Sequence, residues 1–568
     1  MAESRGHGLI GRLDKLNEFE RQPVTGDKLQ SGRHFAGIFA GEHVAATEFV
    51  IGALFVSKGA RTCDVIVGLI FGNLLAVLSW ALICAPIAVR TRLTLYWYLR
   101  KIGGPVMMVV YNVLNAIMYC ILAGAMITVS ASAIRIPFNI PDQVEWYPTD
   151  IRFVFVVLAV GAVVVTLAIW GFKRLAQFSE VCSPWMFLMF IAGAIVMMPT
   201  IVAQVPQVKS ISSFYDFWQV ADARIWPGPA AGQQDALGFL HIVFFAWICN
   251  LAMHVGLSDM AIFRYARQAS YGFYSAFGMY LGHYLAWICA GIMGAGAAIV
   301  IGKPLTALDS GSVAYTALGA TGALAVVIAG WTTSNPTIYR AGLALQVVTP
   351  NWPRWFVTLV AGAVTTIVAC SPFVFTRLLD FVALYGILLM PVGAIVFVEH
   401  WIFPKIGLTQ YRASRRGRLV NWPALIAWLV PVTVGLYAAL AAHWIHLFFL
   451  VVPVWFAASI VYIILSYLCE STSKADESGD QASATDEAAA PPTPERASSG
   501  RNPLVYYICG AAALACLVLC LIAAFRVAGS PADLYEMRLR FFKQAIVYLT
   551  AAYFVTAAAC IILGGRSK

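Results

Sequence analysis

The run "FAGEHVAATEF", residues 39–49, sets Glu42, His43 and Glu48 within seven positions of one another inside apolar sequence. A charged side chain at the centre of a membrane helix costs about 2.5–3.5 kcal/mol on insertion scales, so an ionisable group there points to function by default. A carboxylate beside an imidazole can exchange protons near neutrality or hold the N–H groups of a solute. Gly37 and Gly41 precede the pair and permit a helix break, where freed carbonyls and half-helix dipoles meet polar side chains. Glu48, six residues beyond Glu42, faces another way. Asn112, Asn115 and Tyr119 share one helical face in another apolar run, and so do Trp247, Asn250 and His254. In the second set an indole can stack on a planar ligand while an amide reads its edge. Thr332, Thr333, Ser334 and Asn335 stand directly before Pro336, whose missing N–H frees a carbonyl, and such oxygens suit a hard cation such as Na+. Asp259 and Arg264 follow the sixth run and read as an inner gate or as a topology anchor. The plainer readings of these sets are ion pairs, interhelical hydrogen bonds, aromatic packing and an eased proline kink. Glu48, His283, Asp380 and Tyr385 are further candidates. No P-loop, GxSxG, HExxH or paired-cysteine metal motif occurs, and no loop is long enough for a soluble catalytic domain, so the chain does not read as an enzyme.

The elements that must carry these residues follow from composition. Only 12% of the 568 residues are charged and mean hydropathy is +0.77, whereas soluble chains carry about 25% charge. A helical span needs roughly 20 apolar residues. Such runs recur at 34–57, 63–89, 104–134, 151–172, 180–202, 236–257, 270–301, 316–347, 354–371, 378–403, 421–441 and 445–468, and again at 503–525 and 541–564. The reading is an all-α polytopic membrane protein with no alternating barrel strands. It divides into a cytoplasmic N-terminal segment 1–33, a twelve-span core 34–469, a disordered acidic linker 470–502 and a two-span hairpin within 503–568. The first 33 residues lack the apolar core of a cleavable signal, so the first span serves as its own insertion signal. Fifteen Lys and Arg in the loops of one side against eight on the other place the N-terminus inside a cell (inner or plasma) membrane. The net charge of +10 then belongs to topology rather than to a nucleic acid partner, and the twelve scattered cysteines read as small hydrophobes. The runs 104–134 and 316–347 are both unusually long and lie five spans apart, as do the first and sixth, which carry Gly and ionisable residues at depth. Five plus five spans implies an inverted repeat with a binding site at the paired interruptions.

Several stretches, in order, resemble the nucleobase–cation symporter family of cytosine, purine, uracil, allantoin and hydantoin permeases. They include "GALFVSKGARTCDVIVGLIFGNLL", "APIAVRTRLTLYWYLRKIGG", "WGFKRLAQFSEVCSPWMFLM", "DMAIFRYAR", "SNPTIYRAGLALQ" and "FVALYGILLMPVGAIVFVEHW", and the resemblance covers about residues 30–470. It implies a LeuT-type 5+5 inverted repeat plus two peripheral spans, and alternating access coupled to Na+ or H+. Carried over by position, Thr333 and Ser334 would give oxygens to a cation site with first-span backbone near Ala40. Asn335 and Tyr339 would flank the solute, and Trp247 would be the sixth-span aromatic. The chain departs from the family where it offers Asn112, Asn115 and Tyr119 in place of a stacking tryptophan.

The leading expectation is a cation-coupled symporter of a small, planar nitrogenous solute, with no cofactor beyond Na+ or H+, the bilayer as its surroundings and an oligomeric state the sequence does not set. The alternatives are a sensor or scaffold that keeps a transporter fold, an amino acid or amine transporter of that fold, and a membrane-embedded enzyme using Glu42, His43 and His254. If Na+ sits on the eighth-span hydroxyls, the double change Thr333→Ala and Ser334→Ala abolishes the sodium dependence of uptake into proteoliposomes; unchanged dependence removes that assignment.

Overall fold

A computed structural model describes residues 21–143, 145–233, 235–372, 378–474 and 503–564. Residues 1–20 and most of the acidic linker lie outside them, and with them the expectation of disorder there. Helix covers every apolar run read from the sequence. Ten helices among the described residues are long and apolar enough to cross a membrane. The first and sixth runs fall short because each is broken, the eighth because its middle is polar, and the ninth because Arg354–Ala369 is short.

The first span is two half-helices, Gly32–Glu42 and Glu48–Ser57, with non-helical backbone at 43–47 between them. Gly37 and Gly41 do not make this break. They lie inside the first half-helix, where an added Cβ would stand 2.6 Å from Glu180 Cγ and 2.7 Å from Ser179 Cβ. Their role is close approach to the fifth span, Phe172–Val202. The sixth span is likewise two pieces, Phe239–Ile248 and Leu251–His254, and the chain then turns through Leu257 into Met260–Phe263. A half-helix end leaves four backbone groups without intrahelical partners, so both breaks need polar neighbours.

The third span runs Leu95–Ile134 and kinks at Gly104, whose φ of 79° and close approach to the Leu419 carbonyl both exclude a side chain. The run 316–347, read as one long span, is two helices: Ser310–Leu318 and Ala320–Val348 part at Gly319, which has φ +62°. The third and eighth spans make the most extensive helix pair, brought together at Gly330, where a Cβ would meet Ser130 Oγ and the Met126 carbonyl. Two other spans loosen into π-helical turns, Trp80–Cys84 in the second (Thr62–Thr91) and Phe277–Tyr284 in the seventh (Ala269–Ile301). Such turns often mark functional positions, and both of these face the first break.

The C-terminal hairpin, Pro503–Ala528 and Ala532–Gly564, begins its second helix earlier than the run at 541 suggests. It docks on the fifth span through Trp185 Nε1 donating to Thr550 Oγ1 (3.0 Å) and through Tyr535 and Tyr553 donating to the carbonyls of Val196 and Val181 (2.8 Å each).

The seventh-span π-turn reaches the first break through two glycines. An added Cβ at Gly282 would sit 2.4 Å from the His43 carbonyl oxygen, and one at Gly278 would sit 2.6 Å from His43 Nδ1. The variant Gly282→Ala therefore pushes backbone from backbone and lowers the stability of the detergent-solubilised chain by about 1–3 kcal/mol, read as a lower midpoint of thermal unfolding. An unchanged midpoint would show that the two spans separate freely there.

Candidate functional site

Glu42 closes the inner half of the first span, and its carboxylate meets Arg340 of the eighth span. Arg340 donates from Nη1 to Glu42 Oε1 at 2.6 Å and from Nη2 to Oε2 at 3.0 Å. The same guanidinium donates from Nη2 and Nε to Asp259 Oδ1 at 2.6 and 3.0 Å. Asp259 Oδ2 accepts from Trp80 Nε1 at 2.7 Å, out of the second-span π-turn. Glu42, Asp259, Arg340 and Trp80 are all buried. One cation thus joins the first break, the turn after the sixth span and the eighth span. The fork of the guanidinium suits such bidentate pairing better than an ammonium would. Two carboxylates against one guanidinium leave one net negative charge, and a carboxylate has about four lone-pair sites, so the cluster keeps acceptor capacity for N–H groups.

Around this centre the expected residues fall into distinct places. Thr333 Oγ1 lies 2.8 Å from the Glu42 carbonyl and 3.1 Å from that of Ala329, so it meets the first break. Ser334 donates to Gly330 O at 2.6 Å and approaches Ala123 O of the third span at 3.5 Å, turned away from Thr333. Consecutive helical residues point about 100° apart, and here the two hydroxyls bond different carbonyls. Ala40 lies in the last turn before the break, among the carbonyls without intrahelical partners. Asn335 shares its helical face with Trp331 and Ile338, which pack toward the fourth span (Ile151–Ile169), and its amide finds no partner among the described residues.

Tyr119 does reach the centre: its hydroxyl donates to Ser258 Oγ at 2.8 Å, next to Asp259. Asn115 Oδ1 accepts from Tyr385 at 3.3 Å, one layer away. Asn112 donates to the Tyr96 carbonyl at 3.0 Å, within its own kinked span. Trp247 donates to Ser79 Oγ at 3.1 Å, and its carbonyl accepts from His254 Nε2 at 2.9 Å, which caps the broken sixth helix. His254 also lies against Trp80, ring centroids 4.7 Å apart. Asp259 and Arg264 are not paired with each other. Arg264 instead bonds the Ala261 carbonyl (3.0 Å) and the hydroxyls of Tyr265 (3.2 Å) and Tyr339 (3.5 Å), a closure beneath the triad.

His43 Nδ1 donates to the Phe39 carbonyl at 2.8 Å, which leaves Nε2 without a partner among the described residues. Its ring centroid lies 5.0 Å from that of His283, whose Nε2 is 3.7 Å from Glu48 Oε1 and 3.5 Å from Asn250 Nδ2.

Arg340 had one signal in the sequence: it follows Thr333 by seven residues and so lies on the same helical face, beneath the same break. Its removal leaves two carboxylates buried and uncompensated. Arg340→Ala should destabilise the chain by about 3–5 kcal/mol, and the neutralised set Glu42→Gln, Asp259→Asn, Arg340→Met should recover most of that loss. Equal unfolding midpoints for wild type and Arg340→Ala would contradict the buried triad.

No protein-family model matches the chain, and no curated protein matches it. Among solved structures it is similar to Mhp1, a nucleobase-cation-symport-1 family transporter, in a closed conformation with bromovinylhydantoin bound: TM-score 0.61, 15% identity, covering 80% of this chain and 96% of that one. The inward-facing conformation of Mhp1 gives TM-score 0.59 and 16% identity over 80% and 94% of the two chains. A Na+-coupled sialic acid symporter in a substrate-bound, outward-open state gives 0.55 and 12% over 80% and 93%. The chain has the all-α fold of these transporters. In this chain the first and sixth spans are interrupted, and the charged triad sits between the interruptions.

Proposed function

We propose that this chain is a secondary active transporter that moves a small nitrogenous solute, a nucleobase or related heterocycle, by alternating access coupled to a cation. The observation that carries the reading is the Glu42–Arg340–Asp259 triad at the paired breaks. Ionic groups in a membrane interior are expensive, and these lie where two half-helices end and where backbone bonding is already incomplete. The remaining carboxylate lone pairs suit the N–H edge of a planar heterocycle. The solved relatives of this fold have been caught closed, inward-facing and outward-open, and that range supports a cycle in which the same central site meets each side in turn. The chain would sit in the cell membrane with its N-terminus in the cytoplasm. The docked C-terminal hairpin favours a second reading, a sensor that binds solute and holds one conformation, because it fastens the fifth span through three side chains.

A thermal-shift screen of the full chain with nucleobases, hydantoins, amines and amino acids, followed by uptake of the stabilising compound into proteoliposomes, separates the two. A ligand at a hundred times its Kd raises stability by about 2.7 kcal/mol. The transporter reading predicts that a heterocycle stabilises the chain and accumulates above its external concentration under an imposed ion gradient. Stabilisation without accumulation supports the sensor, and stabilisation by amino acids alone overturns the solute class.

A further inference from the structure

Glu48, His283, His43 and Asn250 form a second polar group beside the triad, and nothing in the proposed solute site uses it. All but Asn250 are buried. Glu48 opens the outer half of the first span, His283 lies in the seventh-span π-turn, and Asn250 stands at the break of the sixth span. Glu48 Oε2, His43 Nε2 and His283 Nδ1 have no hydrogen-bond partner among the described residues. Leaving a buried polar atom without a partner is costly, so three in one cluster are a feature to be explained. A carboxylate and two imidazoles side by side are groups that accept and donate protons.

We propose that the coupling ion is a proton, carried by the Glu48–His283 pair. The proposal rests on the transporter reading and deepens it by naming the ion. With His283 neutral, Asn250 Nδ2 donates to the Nε2 lone pair at 3.5 Å. A proton taken up by the pair is shared between Nε2 and Glu48 Oε1, 3.7 Å apart: on Nε2 it removes that acceptor, and on Oε1 it makes a neutral carboxyl facing the ring. With the proton on Nε2, the amide at the sixth-span break is released. His283 stacks on Trp287 at 4.4 Å between ring centroids, which keeps the imidazole in one plane while its partner changes. On the same turn, Gly278 and Gly282 let the backbone contact His43 at the first-span break. One protonation event therefore touches both interruptions. The groups facing the pair are His43 and His254, both within electrostatic range of His283, and Cys249, within range of Glu48. Beyond His43 stand Glu42, Asp259 and Arg340. The proton enters from one aqueous side and leaves to the other, and no bond between heavier atoms changes.

The test is a proton count on the detergent-solubilised full chain between about pH 5 and 8, where imidazole charge changes fall. Wild type should bind about one proton per chain that Glu48→Gln and His283→Gln each lack; equal counts overturn the proposal. Should either variant fail to fold, dicyclohexylcarbodiimide, which reacts with protonated carboxyls in apolar surroundings, is applied to wild type across the same range. Modification at Glu48 should fall roughly tenfold per pH unit above its titration, and absent or pH-independent modification overturns the assignment. Uptake assays on the same preparations keep the two readings apart. A proton count at the pair with no solute movement defeats the transporter reading and leaves the proton site standing. Accumulation driven by a sodium gradient, with no difference in proton count, does the reverse.

Discussion

A guanidinium between two carboxylates, sealed from water, sets the terms for the rest of this fold. Arg340 bonds Glu42 and Asp259 at once, and in a medium of low dielectric none of the three can be left without the others. The chain must therefore bring the end of a broken first helix, the turn after a broken sixth helix and the middle of the eighth helix to one point. Trp80 completes the arrangement by donating to the oxygen of Asp259 that Arg340 leaves free. The breaks and the charges depend on each other. A half-helix end with no polar neighbour is unfavourable in a bilayer, and so is a charge with no partner.

The surrounding architecture splits into parts that hold and parts built to give. The third and eighth spans lie close along much of their length, with Gly330 admitting Ser130, and this pair fixes Arg340 and Tyr119. Against them, the first, second, sixth and seventh spans meet through short half-helices, π-turns and glycine contacts at His43. Rings from these spans meet there, Phe39 and His43 against Trp80, Trp80 against His254 and His43 against His283. The closure of Arg264 on Tyr339 and Tyr265 lies below the triad. Near the opposite ends of the spans, Arg135 pairs with Asp309 at 2.5 Å and with Asp142, tying the end of the third span to the start of the helix Ser310–Leu318. The triad thus has a polar fastening on each side.

Much of this was legible in the residues. Glu42 and His43 stood out because ionisable groups in an apolar run demand a reason, and the break beside them is present at 43–47. The pairing of spans one with six and three with eight followed from their spacing. What the sequence hid was tertiary. Arg340 reads as one more basic loop residue, because positive-inside counting has no means of seeing that a carboxylate from position 42 waits for it. Gly37 and Gly41 suggested a break because conformational freedom and absence of bulk look identical in one letter, and here the second is used. Gly319 splits the eighth run with no charged residue beside it to announce the break. Ser334 and Thr333 are neighbours in sequence yet face different spans, which a cluster read from composition does not distinguish. Glu48 and His283 lie 235 positions apart, and only the fold brings them within 3.7 Å.

The account stands on one claim, that the two breaks form a hinge around a central site which opens to one side at a time. Two spin-label distances in the same membrane preparation test it most directly. One pair, at Asn139 and Ala231, spans the end where the third span finishes, and the other, at Lys173 and Gln268, spans the opposite end; all four positions are exposed. Titration with a stabilising solute and with pH should shift the two distances reciprocally, one shortening as the other lengthens. Distances that stay fixed, or that lengthen together, would contradict it.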